Sequence, residues 1–334
     1  MGQFTIGDLS QSTLMRLQST RMKTELLQLT QELATGVVTD VGAHLSGDIG
    51  YYADVEKNLR LLDGYDLAAN EANQFADATQ AVLGRIGDLL GSSIESALPA
   101  TASSFQGVRQ HASSDARNDL ETVIDALNST SVGRSLFAGV DTNGNAMISG
   151  DTFLATVKAA LPAITDPASL ATAVSDWFSD PAGFDAMAYA GSTTDLAPVV
   201  IGEDVTVQMA VRADDDRLKV VMEGLVLSVL ATDSDYGFDE LEQSAAFDNA
   251  LTRMFSGQAM LTAMQADIGA AQERIETTRT RNAASRISLE QARVLLVGAD
   301  AFETATRLDD VQVRLESLYA VTARMSRLSL VNYI

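Results

Sequence analysis

The chain of 334 residues contains no cysteine, which excludes disulfide bonds, thiolate catalysis and zinc sites built on cysteine. Only 5 residues are proline, and none of them follows Pro198. Aromatic residues make up 6% of the chain, and Trp177 is the single tryptophan. Helical bundles can be packed with leucine, alanine, valine and methionine. The scarcity of proline and of aromatic residues therefore favours an α-rich protein whose core contains few aromatic side chains.

Basic residues are also scarce. The chain has 23 lysines and arginines but 45 aspartates and glutamates, which gives a net charge of −22. Nucleic acids and anionic membranes both require a positive surface, so neither is an expected partner. No segment approaches the roughly 18 consecutive apolar residues of a membrane-spanning helix. The N-terminus has neither the basic nor the apolar region of a Sec-type signal peptide, so no such leader is expected.

Motifs that carry catalytic or metal chemistry are absent or incomplete. The run Asp141–Asn145 begins like an EF-hand calcium loop, but Ala146 and Thr152 occupy the positions where glycine and glutamate are required. Asp214–Asp216 could face a hard cation, yet a turn is the simpler interpretation of both segments. Neither a GxxxxGK[ST] nor a GxGxxG loop occurs. We therefore expect no metal, no cofactor and no enzymatic activity.

The C-terminal part of the chain, from Leu251 to Ile334, has a regular apolar pattern without any proline. Residues spaced alternately 3 and 4 apart keep one narrow stripe of a helix facing a partner helix. A helix of this length needs such a partner, because long isolated helices are marginal in water. The stripe consists of Leu261, Met264, Ile268, Ala271, Ile275, Thr278, Asn282, Ser285, Leu289, Ala292 and Leu296.

The N-terminal part shows the same spacing in two runs, which lie in helices predicted to end at about residues 34 and 97. The first run is Met15, Met22, Leu26, Leu29 and Leu33. The second is Leu61, Tyr65, Ala68, Ala72, Phe75, Thr79, Val82, Ile86 and Leu89. The pattern predicts helices over about 11–34, 51–97, 114–136 and 218–230, with breaks at Pro99–Ser104 and at Gly298–Asp300. The helix near 11–34 should lie antiparallel beside the one near 300–330.

The middle of the chain differs from both ends. Four of the five prolines lie between residues 139 and 200, and Val205, Val207, Met209 and Val211 alternate with other residues as in a half-buried strand. The predicted fold class is mainly α, a long antiparallel coiled-coil-like helical rod formed by both chain ends with a small mixed or β domain inserted in the middle. The expected domains are a terminal helical assembly domain (1–42 plus 290–334), a helical rod domain (43–138 plus 218–289) and an outward-facing insert (139–217).

Four stretches resemble the flagellin superfamily and, within it, the hook-associated protein 3 (FlgL-type) branch. Leu29–Gly36, after Arg16–Gln18, is similar to the end of the family's first helix. Gly133–Gly139 is similar to its Gly-Arg-Tyr-Leu-Phe-x-Gly motif, and Arg274–Ser288 to the region around its Ala-x-x-Asn-Arg. Leu318–Ile334 ends like the Leu-Ser-Leu-x-Asp-Tyr-Leu tail of junction proteins. The resemblance covers about 1–140 and 218–334.

This resemblance implies a structural component of the bacterial flagellum, an adaptor ring that joins the hook, through the first hook-associated protein, to the flagellin filament. It also implies export through the flagellar type III apparatus, an extracellular location, and as partners further copies of itself, the first hook-associated protein, flagellin and an export chaperone. One alternative is a flagellin that forms the filament itself. Another is a secreted adhesin or enzyme whose activity lies in 139–217.

The apolar stripes of the terminal helices are the expected assembly interface. A helix that cannot bury its stripe alone should do so against other subunits. The last residues of the chain are also apolar. We expect them to pack in the inner wall of the ring and, before export, against a chaperone; the alternative is that they cap the terminal helix on their own subunit. The candidate residues are Met15, Met22, Leu26, Leu29, Leu33, Leu315, Leu318, Met325, Leu328, Leu330 and Tyr333.

Overall fold

The structure is a computed structural model that describes residues 6–331 except Asp48 and Ala210, with side chains described for Ser10 and for 13–325 outside those two positions. It is 73% helical and contains two small antiparallel sheets. The elements are α1 (Ile6–Thr35), α2 (Val41–His44), α3 (Gly50–Ala102), α4 (Gln106–Leu127), β1 (Thr130–Ser131), β2 (Arg134–Ser135), α5 (Gly150–Ala160), α6 (Pro167–Ser179), α7 (Phe184–Met187), β3 (Val199–Gly202), β4 (Val205–Val207), α8 (Asp216–Leu230), α9 (Glu240–Val297) and α10 (Ala301–Val331).

The chain divides into two compact units. The first unit consists of 1–63 and 283–334, and the second of 64–282. The predicted fold class is confirmed, because long helices from both chain ends pack together and a segment with short helices and strands lies between them. The predicted break at Gly298–Asp300 is also present, since α9 ends at Val297 and α10 begins at Ala301.

Four predicted helix boundaries are wrong. Helix α1 begins at Ile6 and not near residue 11, and helix α4 begins at Gln106 and not near residue 114. Helix α3 continues through Pro99 to Ala102, because Pro99 lies in the last turn and the next residue, Ala100, is fully buried in the core. Helix α4 ends at Leu127 instead of Leu136. The Asn128 side chain there donates to the Met147 carbonyl (3.1 Å) and accepts from the Met147 amide (2.8 Å). This contact turns the chain away from the helix and into the β1–β2 hairpin.

The buried arc of α3 is wider than the predicted stripe, of which Ala72, Thr79 and Ile86 are buried as predicted. Leu61 is 44% exposed, whereas its neighbour Leu62 is buried. Helix α3 contacts α4 through the Ser93–Asp119 hydrogen bond and α9 through Gln80, so its buried arc is wider than a single stripe. The buried positions of α3 are Val55, Leu59, Leu62, Ala69, Ala72, Ala76, Thr79, Leu83, Ile86, Leu90, Ser93, Ile94, Ala97 and Ala100. Three predicted positions, Phe75, Val82 and Leu89, pack against this core while half-buried.

Helix α8 lies at the centre of the second unit, because every residue from Leu218 to Leu230 except Val220 is buried. Its contact with α9 depends on glycine at two positions. A Cβ on Gly224 would lie 2.8 Å from the Met254 Cγ, and a Cβ on Gly257 would lie 3.1 Å from the Val221 Cα. The two backbones therefore approach each other as closely as the missing side chains allow.

The inserted segment has two parts with different contacts. Helices α5, α6 and α7 enclose a cluster of aromatic rings whose centroids lie 5.1–6.2 Å apart, made of Phe153, Trp177, Phe178 and Phe184. The β3–β4 hairpin instead packs on Ala69 and Ala72 of α3 and on Ile275 of α9. The predicted strand was too long, because only Val205–Val207 pairs, and Ala213 already donates to the Phe137 carbonyl.

The Gly133–Gly139 motif marks the place where the insert begins. Gly139 has a φ of +62°, and a Cβ there would lie 2.5 Å from the carbonyl oxygens of Ser192 and Thr194. The amide of Ser192 donates to the Ala138 carbonyl over 2.9 Å. Only glycine satisfies both the left-handed backbone and this close approach, so the motif holds the loop near 192–194 against the end of the helical part.

We expect Gly139→Ala to lower the free energy of unfolding of the second unit by about 2–4 kcal/mol, because it adds both backbone strain and overlap with two carbonyls. Gly133→Ala is the matched control. Gly133 also has a positive φ, of 76°, but its side-chain position is open, so about 1 kcal/mol should be lost. Equal losses in thermal unfolding of the two variants would contradict the role given to the contact.

Asn282, one of the residues in the family-like stretch of α9, fixes the β3–β4 hairpin. Its Nδ2 donates to the Ile201 carbonyl over 2.8 Å. We expect Asn282→Ala to cost about 1–2 kcal/mol, since a buried carbonyl loses its partner, and to speed amide exchange in β3 and β4. Asn73→Ala, which removes an exposed side-chain hydrogen bond on α3, should leave that exchange unchanged.

Candidate assembly interface

Helices α1 and α10 of the first unit are antiparallel neighbours, as predicted. The Lys23 ammonium lies 5.8 Å from the centroid of the Tyr319 ring, while the Ala299 amide donates to the Gly36 carbonyl over 2.9 Å. Positions nearer the N-terminus of α1 therefore meet positions nearer the C-terminus of α10. The hydrogen bonds from Lys23 and then Ser19 lower the pKa of the exposed Tyr319 phenol, because they stabilise its ionised form.

The facing surfaces of these helices are called their inner faces here, and they contain most of the predicted interface residues. Leu29 of α1 and Val311 of α10 are each only 3% exposed. The half-buried predicted residues are Met15, Met22, Leu26, Leu315, Leu318 and Met325. Leu33, at the end of the pair, is 42% exposed. The side chains of Leu328, Leu330 and Tyr333 lie outside the described residues.

The two predicted stripes thus lie against each other within one subunit. Val311 belongs to the same register as Leu315 and Leu318, at spacings of 4 and 3, yet it was missing from the predicted set. That these residues also contact other subunits stays a prediction. Any neighbouring subunit that contacts the described pair from outside meets a different set of side chains.

Six large apolar side chains along α1 and α10 are exposed, and we call them the outer set. They point away from the inner faces and are between 47% and 84% exposed. The set consists of Leu14, Leu17 and Leu27 of α1 and Phe302, Val313 and Val321 of α10. Single exposed apolar residues are ordinary, but six of them along one pair of helices favour contacts with other molecules. The signal in the sequence was the apolar residues that flank the heptad positions, such as Leu14 and Leu17.

The breaks in the two long helical segments lie side by side. The Val38 amide donates to the Val297 carbonyl over 3.0 Å, and Val37 and Gly298 form an antiparallel bridge. The Asp300 carboxylate accepts from the Phe302 and Glu303 amides and so caps the start of α10. These contacts make both chain segments leave their helices at the same level of the first unit.

Charge is divided unevenly between the two units. The first unit contains 14 acidic and 11 basic residues, a net of −3, whereas the second contains 31 and 12, a net of −19. Ion pairs such as Arg286 with Asp63 (2.5 Å) balance the surface of the first unit. Copies of a nearly neutral surface can approach closely, while the acidic surfaces of two second units repel each other wherever no basic side chain lies between them.

The acidic runs considered as cation sites have other partners. Asp141 Oδ1 accepts from the Gly144 amide in a turn. Asp214 and Asp215 pair with Arg212 and Arg217, and Asp215 also caps α8. Across the described part of the chain, no group of three or more histidine, aspartate or glutamate side chains is placed to hold a metal ion. Nor does any described helix combine the length and apolarity needed to cross a membrane.

Comparison with known proteins identifies the C-terminal part. Residues 251–334 match the family model of the bacterial flagellin C-terminal helical region. The chain carries a flagellin C-terminal region. The predicted resemblance to the flagellin superfamily is thereby confirmed. No curated protein matches the chain in sequence.

Two solved structures share the fold of this flagellin-like chain at low sequence identity. One is a protein from Vibrio parahaemolyticus assigned as a flagellar hook-associated protein, with a TM-score of 0.51 and 12% identity over 72% of this chain and 93% of that one. The other is FlgL from Bacillus cereus, with a TM-score of 0.53 and 12% identity over 72% and 98%. The chain therefore shares the fold of these two proteins, and its residues 251–334 match the flagellin C-terminal helical region.

Proposed function

We propose that this chain is the adaptor that joins the hook, through the first hook-associated protein, to the flagellin filament, where several copies form a ring. The observation that carries the proposal is the α1–α10 pair, in which the stripes of both helices cover each other while the outer set stays exposed. Burying each large apolar side chain contributes about 1.5–3 kcal/mol. Contacts with copies of itself, with the first hook-associated protein and with flagellin would supply that burial.

The choice of the junction over other places in the flagellum rests on two likenesses. Two of the solved structures that share the fold are a protein assigned as a flagellar hook-associated protein and a FlgL. The sequence ending in Leu328–Ile334 is similar to the tail of junction proteins. We assign assembly to 1–42 and 290–334, support to 43–138 and 218–289, and an outward-facing position to 139–217. Before assembly an export chaperone would cover the terminal helices.

Export through the flagellar type III apparatus to the cell exterior completes the proposal. A chain that passes a narrow channel unfolded benefits from having no cysteine, since no disulfide can form before or during passage. The helices of the first unit, which depend on packing, would then order on assembly.

Deletion of the gene tests this function. Deleted cells should keep their hooks, lack filaments and lose flagellin to the medium, because flagellin has no platform on which to polymerise. The full chain supplied from a plasmid should restore filaments. Normal filaments in the deleted cells would contradict the proposal.

A second candidate is a flagellin that forms the filament itself, which the match of 251–334 to the flagellin C-terminal region favours as much. The two functions differ in copy number. An adaptor should be present in a small fixed number per flagellum, whereas a filament protein should increase in proportion to filament length.

A further inference from the structure

The tip of the β1–β2 hairpin combines backbone strain with an exposed apolar side chain. Strands β1 and β2 pair through Thr130 with Ser135 and Ser131 with Arg134, which leaves a two-residue turn of Val132 and Gly133. Val132 has a φ of 51° and is 88% exposed. A β-branched residue rarely adopts this left-handed conformation, which asparagine or glycine would adopt with little strain. Contacts within the folded chain therefore do not account for valine at this position.

The residue after the turn adds a positive charge to the same tip. Arg134 is exposed, and it has no ion pair with any residue that the structure describes. The rest of the second unit is strongly acidic, with 31 acidic and 12 basic residues in all. The tip thus presents an apolar side chain beside an unpaired cation on a protein whose surface is mostly negative.

We propose that the β1–β2 tip docks on an acidic surface of the second unit of a neighbouring copy of this chain. The inference rests on the proposed function, because copies must meet in a ring for the tip to reach its partner. Docking would cover Val132 and would give Arg134 carboxylates, which no described residue of its own subunit offers it as an ion pair. A tip that inserts into a different surface makes a head-to-tail contact, which is the kind that closes rings.

Site-specific crosslinking tests which molecule covers the tip. The full chain with p-benzoylphenylalanine at position 132 is expressed in deleted cells, and the sheared flagella are irradiated. The expected product contains two copies of this chain, as mass spectrometry would identify. Crosslinks to a different protein alone, or no more crosslinking than from position 140, would overturn the proposal. If the wild-type chain does not enter flagella at all, the proposed function fails first, and this inference with it.

Substitutions at the tip separate docking from folding. Val132→Asn and Val132→Gly should raise the Tm by about 2–4 °C, because they relieve the strained backbone. The same variants should reduce incorporation into flagella about tenfold, since they remove the docking side chain. Arg134→Gln should reduce incorporation without changing the Tm. Val140→Asn, which removes another exposed valine, is the control and should assemble normally. A raised Tm with normal incorporation of both Val132 variants would overturn the proposal.

Discussion

Replacing Leu17 and Val313 together by aspartate is expected to abolish assembly while the isolated chain stays folded. Both side chains belong to the outer set and are more than half exposed, at 54% and 61%, so the monomer loses little. In an assembled ring each substitution removes about 1.5–3 kcal/mol that burial of the apolar side chain would contribute to the contact between subunits. The new carboxylate must also be desolvated there. Losses of this size at every copy should prevent stable contacts.

The measurement is the amount of the chain in sheared flagella together with the number of filaments per cell. Circular dichroism of the purified variant should match that of the wild type. Leu241→Asp is the matched control, because Leu241 is 80% exposed in the first turn of α9 but lies in the second unit. Normal incorporation of the Leu17 and Val313 double variant would show that the outer set does not contact other subunits.

Aspartate at Leu29 and Val311 should have the opposite pattern, with damage inside the subunit. Both side chains are buried between α1 and α10. Loss of a buried leucine costs about 2–5 kcal/mol, and an unpaired carboxylate in the same place costs more. The α1–α10 pair should therefore separate, whereas the second unit, which has its own core, should keep its stability.

Hydrogen exchange followed by peptide mass spectrometry reports on each unit separately. Peptides from α1 and α10 should exchange much faster in this variant than in the wild type, and those from α4 and α8 should not change. Leu17→Asp alone provides the control, since it places the same charge on the outside of α1. Unchanged exchange in α1 and α10 would mean that the pair does not depend on these contacts.

The helical part of the fold could be predicted because its signals are local. Alternating spacings of 3 and 4 at Leu26, Leu29 and Leu33 are enough to indicate a helix with one apolar stripe. The glycine and small residues at Gly298–Asp300 indicated a break that is present. Pro99 misled the prediction, because a proline in the last turn is tolerated when the residues around it are held by a core.

Features that depend on distant residues could not be predicted in this way. The end of α4 is decided by the contact between Asn128 and Met147, nineteen positions further along the chain. The wide buried arc of α3 depends on its having both α4 and α9 as neighbours. Neither contact leaves a periodic signal in the sequence.

The candidate interface was predicted only in part, for a related reason. A stripe shows that a helix needs a partner, but it does not show whether that partner is another helix of the same chain. In the structure the stripe that contains Leu29 and the stripe that contains Val311 bury each other within one subunit. The outer set lies off the heptad positions, so it becomes recognisable as a surface only when α1 and α10 are placed side by side.

Immunogold electron microscopy of intact flagella tests the central claim most directly. The full chain is labelled through an epitope tag placed in an exposed loop of the insert, and gold particles are located relative to the end of the hook. We expect a short band of label at the boundary between hook and filament, with none further along. Label distributed along the whole filament would contradict the adaptor function and assign the chain to the filament itself.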